Sequence, residues 1–330
     1  MFKMKKIVAA GVFALVTAGL AATAHAQVEI KLGHVGGPGS LFERSALEFA
    51  RVANERLGNR GKVVVFGSSQ QGSDAEMMQK LRLGTLELAL PSTVMTSTVD
   101  AFGMFEMPYL VKNREHMKKI EAEIIWPTLA PMVEEKGYKI LAVWENGFRH
   151  ITNNVRPIEK PEDLRGIKLR TPSGEWRVRM FQTYGANPSP LALSEVFVAL
   201  QTGVMDGQEN PFAQIYPSRF YEVQEYLSLS QHVYTPAYLV AGRAFGSLDP
   251  EVQEILRETA VEMQPVVYEI AAELEDELLQ KLIDEGMQVN EVDTQAFIEA
   301  SQPVYELFGS QVEGGGELIE RALALADAEG

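Results

Sequence analysis

Short alternating stretches and helical segments follow one another near the start of this chain, and this order constrains the fold more than any other feature. Alternation of apolar and polar side chains predicts strands. Ser73 and Glu76 in "SDAE" form a capping box, which marks the start of a helix, and Gly84 marks its end. The run β-α-β-α-β predicts an open, mostly parallel sheet. The predicted strands are 28–35, 62–66 and 86–90, and the first predicted helix is 41–58.

The same pattern begins again in the second half of the chain. Two successive α/β units predict an α/β fold with two lobes, and ligands of such folds bind beyond the carboxyl ends of the strands. A long acidic helical segment follows, and Pro265 should kink it. The strands are predicted at 139–144, 150–155 and 167–170, the helices at 174–185 and from an N-cap at Ser194 to Gly203, and the acidic segment from Asp249 to about Gly286.

The first residues are typical of a secretion signal. The basic "MFKMKK" precedes the apolar run "IVAAGVFALVTAGLAATA", and "AHA" then supplies the small residues that a signal peptidase reads. The alternative is a membrane anchor, because a run of about eighteen residues is near the lower limit for spanning a bilayer. The cleavage-like "AHA" favours a signal peptide, residues 1–26, removed after Ala26. The mature chain is then not inserted in the membrane.

Composition limits the partners of the mature chain. The sequence has no cysteine, so a secreted form must be held together by its core alone. Its net charge is −15, and removal of Lys3, Lys5 and Lys6 with the signal makes it −18. Such a surface repels nucleic acid and anionic lipid. A small anionic ligand is still allowed, because a local arginine dominates a cleft at distances below the screening length of about 10 Å.

No motif for catalysis or metal binding stands out. The chain lacks a thiol and a G-x-S-x-G elbow, and its histidines do not form an H-E-x-x-H helix. "DGQEN" (206–210) is similar to half of a calcium loop but lacks the remaining spacing. "GGPGS" (36–40) is either an anion-binding loop or a strand–helix turn. We therefore expect no catalytic residue, no metal ligand and no cofactor, with zinc held by distant ligands as an open alternative.

Two arginines follow predicted strands and are candidate ligand-binding residues. Arg149 stands in "GFRH", and Arg170 in "GIKLRTP". A guanidinium donates two parallel hydrogen bonds to one carboxylate, so each arginine binds either an internal acid or an external one. Asn210 in "QENP" adds an amide that donates and accepts. Trp176 either floors a pocket or packs in the core.

Three long stretches give the chain its family resemblance. "FGSSQQGSDAEMMQKLRLGTLELAL", "GFRHITNNVRPIEKPEDLRGIKLRTP" and "GANPSPLALSEVFVALQTGVMDGQENP" resemble the DctP-type solute-binding proteins of tripartite ATP-independent periplasmic (TRAP) transporters. The resemblance implies a two-lobed periplasmic binding fold with a hinge and a long helix that spans both lobes. It places lobe I at 27–147 plus about 236–275, and lobe II at 148–235 plus about 276–330.

The resemblance also implies roles for particular residues. The arginine that grips the ligand carboxylate in the family's "K-[LI]-R-x-P" motif falls on Arg170, the second arginine falls on Arg149, and the asparagine of "Q-E-N-P" falls on Asn210. Loops that end the first and third strands bring Val35, Gly36 and Ser92 to the opposite wall. Sialic-acid binders carry an acidic residue at the position of Ser92 and an asparagine at that of Val35, so the resemblance argues against sialic acid.

The implied function is a periplasmic receptor for a small organic acid anion. It would hand the acid to the membrane subunits of a TRAP permease. One alternative is a periplasmic hydrolase or lyase that acts on such an acid. Another is a partner-binding protein whose cleft stays empty.

Overall fold

The computed structural model describes residues 27–327, so the predicted signal peptide, 1–26, lies outside the described residues. It contains two mixed sheets, each at the centre of one lobe. The strands are β1 (Val28–Gly33), β2 (Gly61–Phe66), β3 (Leu88–Ala89), β4 (Lys139–Phe148), β5 (His150–Asn153), β6 (Lys168–Thr171), β7 (Asn187–Pro190), β8 (Gly207–Asn210), β9 (Tyr226–Leu229), β10 (Tyr234–Ala241) and β11 (Gln288–Glu291). The first sheet has the order β2-β1-β3-β10-β4, and the second has the order β11-β9-β5-β8-β6-β7.

Helices cover both sheets. They are α1 (Leu41–Leu57), α2 (Asp74–Leu83), α3 (Arg114–Ile120), α4 (Ala130–Glu135), α5 (Glu175–Thr183), α6 (Leu193–Gln201), α7 (Phe212–Ile215), α8 (Pro250–Glu262), α9 (Gln264–Asp284), α10 (Thr294–Ala300), α11 (Gln302–Gln311) and α12 (Gly315–Asp327). A π-helix (Glu121–Leu129) joins α3 to α4, and the 3-10 segments are Thr93–Ser97, Asp100–Glu106, Pro161–Leu164, Phe220–Glu222 and Phe245–Ser247. In the first lobe, Phe49 of α1 packs edge-on against Trp144 of β4, with ring centroids 5.8 Å apart.

Several local predictions are confirmed. Ser73 and Glu76 form the predicted capping box at the start of α2, and Gly84 ends that helix in the left-handed conformation. The cap predicted at Ser194 is wrong, because α6 begins at Leu193 and Ala192 is its cap. The first lobe confirms parallel pairing only in part: β1 is parallel to β2 and β3, but β10 is antiparallel to its neighbours β3 and β4. The reason is that β10 enters the sheet from the other lobe.

Two chain crossings connect the sheets. A single residue, Arg149, separates β4 of the first sheet from β5 of the second. The return crossing runs from β9 to β10 through residues 230–233. The two crossings are hydrogen-bonded to each other, because the amide of Arg149 donates to the carbonyl of Val233 at 3.0 Å. Arg149 therefore lies at the hinge itself.

The predicted kinked helix is present. It breaks at Met263, between α8 and α9, and Pro265 lies in the first turn of α9, where its missing N–H costs little. Helix α9 contacts β4 in the first lobe and α7 in the second. At the end of the described chain, α12 packs against α3. The exact lobe boundaries given above stay a prediction. Within residues 27–327, no helix is both long and apolar enough to cross a membrane.

Candidate functional site

A small cavity lies between the lobes. Its volume is about 90 Å³, and both lobes contribute to its wall. Of the seven predicted site residues, four line it, and these are Arg170, Arg149, Asn210 and Val35. The other lining residues that matter below are Asp74, Asn146 and Gln214.

Arg170 is a buried cation without an internal counter-ion. It lies in β6, is 3% exposed, and donates through Nε and Nη2 to the carbonyl of Leu191 at 2.8 and 2.6 Å. Among residues 27–327, no carboxylate lies within ion-pair distance of it. Burial, followed by the charge of Arg149, lowers the pKa of Arg170 to about 9, so the side chain is still charged at pH 7. The bond to Leu191 fixes one edge of the guanidinium, and the Nη1 edge is left for a ligand.

Three carboxyl or amide oxygen atoms around the cavity are buried acceptors without a partner. They are Asp74 Oδ1, Asn146 Oδ1 and Gln214 Oε1, and no hydrogen-bond donor of the described residues reaches any of them. Buried polar groups are nearly always hydrogen-bonded, so these acceptors indicate donors that arrive with a ligand. The sequence analysis missed all three, although the position of Asp74, directly after the cap of a helix that follows a strand, could have pointed to it.

Asp74 is also an ionisable group close to Arg170. Burial raises the pKa of its carboxyl to about 7, against the opposing effect of Arg170. Near neutral pH the cavity therefore holds a cation and a carboxyl that is partly protonated. An anionic group at Arg170 and a hydroxyl at Asp74 would suit this arrangement.

Arg149 binds an internal acid, Glu209, and not an external one as its charge partner. Its Nη2 donates to Glu209 Oε1 at 2.9 Å and to the Glu209 carbonyl at 2.6 Å. The same atom donates to Asn210 Oδ1 at 3.0 Å, and Asn210 Nδ2 donates to Gln208 Oε1 at 2.6 Å. Arg149 and Asn210 thus face the cavity as parts of a pre-arranged network, and the charge of Arg149 is already balanced.

Glu209 is the centre of that network and was missed by the sequence analysis. Its carboxylate binds Arg149, Arg177 (Nη1–Oε2 2.6 Å) and His232 (Nε2–Oε2 3.1 Å), and it is fully buried. Burial alone would raise its pKa, but the two arginines, Arg149 more than Arg177, hold the pKa well below the ordinary value. Burial lowers the pKa of His232 to about 4, so this histidine is neutral at pH 7. Arg177, although it lies on a helix, is fully buried in this cluster.

Three predicted residues do not line the cavity. Ser92 acts through a neighbour: its hydroxyl donates to the Pro236 carbonyl at 2.7 Å and accepts from Asn146 Nδ2 at 3.2 Å. Gly36 is needed for packing, since a Cβ there would lie 2.3 Å from the hydroxyl of Ser40.

Trp176 is the third predicted site residue that does not line the cavity. Its side chain packs in the protein interior. It is 5% exposed and meets the ring of Phe308 edge-on, with centroids 5.0 Å apart. Of the two alternatives for Trp176, packing in the core is the one found here, because α5 turns the ring towards α11.

The two loop motifs are used internally. In "GGPGS", Ser40 caps α1 by accepting from the amide of Glu43, and the Glu43 carboxylate accepts from the amide of Gly39 at 2.6 Å. The strand–helix turn is thus the better interpretation. In "DGQEN", Asp206 pairs with Lys168, and the rest is the buried strand β8. No group of three or more potential metal-ligating side chains is found within residues 27–327.

Comparison with known proteins identifies the fold family. Residues 32–311 match the DctP family model, described as bacterial extracellular solute-binding protein, family 7. The chain belongs to this family. It is 30% identical to the 2,3-diketo-L-gulonate-binding periplasmic protein YiaO of Escherichia coli (strain K12), over 93% of this chain and 96% of that protein.

Two solved structures have the same two-lobed architecture. A TRAP periplasmic solute-binding protein from Polaromonas sp. JS666, bound to D-erythronate, superposes with a TM-score of 0.87 at 33% identity, covering 92% of this chain and all of that one. The sugar acid-binding protein DctPAm from Advenella mimigardefordensis, in complex with galactonate, superposes with a TM-score of 0.87 at 31% identity, covering 91% and 98%. Both relatives are named as binding proteins and hold an organic acid.

Proposed function

We propose that this chain is a periplasmic receptor that captures a small organic acid anion and delivers it to the membrane subunits of a TRAP-type permease. The observation that carries the proposal is Arg170, a buried guanidinium in an inter-lobe cavity with no carboxylate of residues 27–327 at ion-pair distance. A buried charge is costly unless it is paired. The carboxylate of the ligand supplies the missing partner at the Nη1 edge.

The other lining residues favour a short hydroxylated acid. Asp74, Asn146 and Gln214 present acceptors, which hydroxyl groups of a ligand satisfy. The volume of about 90 Å³ is small, since an apolar cavity of about 150 Å³ holds benzene. A four-carbon acid such as the D-erythronate of the Polaromonas protein fits these features better than a nine-carbon sialic acid.

The roles of the two arginines differ in this proposal. Arg170 binds the carboxylate directly, while Arg149 and Asn210 form a rigid wall that is organised by Glu209. Val35 and the amide of Asn146, held by Ser92, close the opposite side. No histidine lines the described cavity, so the most common general base of enzymes is missing from it.

Isothermal titration calorimetry tests the proposal, with D-erythronate as the first acid and a panel of hydroxy acids after it. Removing one partner of a buried charged pair costs about 2–5 kcal/mol, so we expect Arg170→Ala to weaken binding by roughly 30-fold or more. Arg165→Ala is the matched control, because Arg165 is an exposed arginine of the same lobe. Equal affinities of wild type and Arg170→Ala for the bound acid, or turnover of that acid, would contradict the proposal.

A further inference from the structure

A fully buried ion pair joins elements of the two lobes away from the cavity. Glu106 ends the 3-10 segment Asp100–Glu106, which packs on the first sheet: the ring of Phe102 lies 5.1 Å from that of Tyr238 in β10. Arg177 lies in α5, which packs on β7 of the second sheet. Arg177 Nε and Glu106 Oε2 are 2.7 Å apart, and both side chains are at most 1% exposed.

This pair is connected to the cavity. Arg177 Nη1 donates to Glu209 Oε2 at 2.6 Å, and Glu209 in turn holds Arg149, which lines the cavity. A continuous series of contacts thus connects the cavity to the first lobe. It runs from Arg149 through Glu209 and Arg177 to Glu106. The four charges cancel, so the cluster is neutral as a whole only when both arginines and both carboxylates are present.

The pairing across the lobes is incomplete. The Nε–H of Arg177 does not point at Glu106 Oε2, and Arg177 Nη2 has no hydrogen-bond partner in the described part of the chain. A buried donor without a partner carries a desolvation cost. The cross-lobe pair therefore stabilises the contact between the lobes less than a fully hydrogen-bonded pair would, which suits a receptor that must reopen.

An aromatic contact lies next to the ion pair. The ring of Trp176, which precedes Arg177, packs so closely on Gly103 that a Cβ there would lie 2.4 Å from Trp176 Cδ1. Gly103 belongs to the same 3-10 segment as Glu106. Two neighbouring residues of α5 thus contact one segment of the first lobe. Arg177 forms an ion pair with Glu106, and Trp176 packs on Gly103.

We propose that Glu106 and Arg177 form a closure latch, an ion pair that assembles when the lobes close on a ligand and that makes Arg177 a positioning residue for Glu209 and Arg149. The proposal rests on the proposed function, because closure is driven by a solute in the cavity. In the open protein, Glu106 is separated from Arg177 and is hydrated. Loss of the latch therefore shifts the closing equilibrium and the dissociation rate and leaves the stability of the open protein unchanged.

The test measures closure and stability in the same variants. The chain has no cysteine, so spin labels on Leu83→Cys and Val204→Cys, both exposed and in different lobes, report the distance between the lobes. D-erythronate is the first probe, followed by the same panel of acids. Half-closure is the acid concentration at which half of the molecules show the short distance between the labels. For Glu106→Gln we expect this concentration to rise at least tenfold, while the ligand-free Tm stays within about 2 °C of wild type. Glu162→Gln, at an exposed glutamate, is the matched control.

Gly103→Ala is a second variant that keeps every charge. Its methyl group would lie 2.4 Å from Trp176 Cδ1 and 2.7 Å from Phe308 Cε2 of α11 in the closed protein, so it should also raise the acid concentration for half-closure. Wild-type closure in Glu106→Gln overturns the latch. A ligand-free Tm that falls by more than about 5 °C in Glu106→Gln overturns it as well, because the pair would then belong to a permanent core. If wild type closes on no acid, the proposed function fails. The latch is then judged by the ligand-free Tm of Glu106→Gln, and a fall of more than about 5 °C overturns it.

Discussion

Two arginines reach the same cavity in different electrostatic settings. Arg149 is bound to Glu209 within a cluster whose charges cancel, whereas Arg170 is held by a backbone carbonyl and has no acidic partner at ion-pair distance among residues 27–327. Arg149 follows β4 and Arg170 lies near the end of β6, and both are buried. The comparison teaches that a buried arginine at a strand end indicates a ligand only when the fold leaves its charge unbalanced.

The largest expected effect comes from breaking the balanced cluster. Glu209→Gln removes the carboxylate that lies between Arg149 and Arg177, and breaking a buried pair costs about 3–5 kcal/mol. We expect urea unfolding without ligand to show a loss of this size in the free energy of unfolding. Arg170→Met, by contrast, removes an unbalanced charge and should leave that free energy unchanged or raise it. If both variants lose the same free energy, the distinction between the two settings is wrong.

The next effect concerns the unpartnered acceptors. D-erythronate and butanoate have the same carbon chain length, but butanoate leaves Asp74, Asn146 and Gln214 without donors. An unsatisfied buried acceptor costs about 1–3 kcal/mol, so D-erythronate should bind at least tenfold more tightly in calorimetry. Equal affinities would show that the acceptors do not meet the ligand.

A smaller effect should appear when the pH changes. The pKa of Asp74 is raised to about 7, and that of Arg170 is about 9. As the pH rises from 6 to 8, Asp74 loses its proton while Arg170 stays charged, so a negative charge appears near the bound carboxylate. We expect the affinity for the acid to fall several-fold over this range in wild type and to stay flat in Asp74→Asn. A wild-type affinity that rises with pH would contradict this assignment.

The smallest expected effect is that of Ser92→Ala. The hydroxyl of Ser92 orients Asn146 without touching the cavity itself. Loss of one such hydrogen bond is worth about 1 kcal/mol, so the affinity should drop by roughly fivefold, with little change in Tm. Asn146→Ala, which also removes the acceptor, should cost more than Ser92→Ala. The reverse order would place Ser92 itself in contact with the ligand.

Local features of the fold were predictable, because they depend on neighbouring residues. The capping box at Ser73 and the end of α2 at Gly84 are examples, and so is the break near Pro265. The wrong cap at Ser194 has a local reason too: Ala192 takes the extended cap conformation, and Ser194 falls inside the first turn. Arg170, Arg149, Asn210 and Val35, which the resemblance assigns to the ligand site, line one cavity.

The pairing of the arginines was not predictable from spacing. Glu209 is 60 residues from Arg149 in sequence and 32 from Arg177, so only the fold decides which acid balances which arginine. A polar strand that is wholly buried, such as "GQEN", breaks the alternation rule for strands because charge pairing replaces apolar packing. The sequence left the role of Trp176 open for a similar reason, since the rotation of α5 relative to the cavity is set by tertiary contacts.

A crystal structure of the chain with its bound acid tests the central claim most directly. The ligand carboxylate should lie within hydrogen-bonding distance of Arg170 Nη1, with the guanidinium still bound to the carbonyl of Leu191. A structure in which Arg170 forms an ion pair with Asp74, or in which the carboxylate binds elsewhere, would contradict the claim.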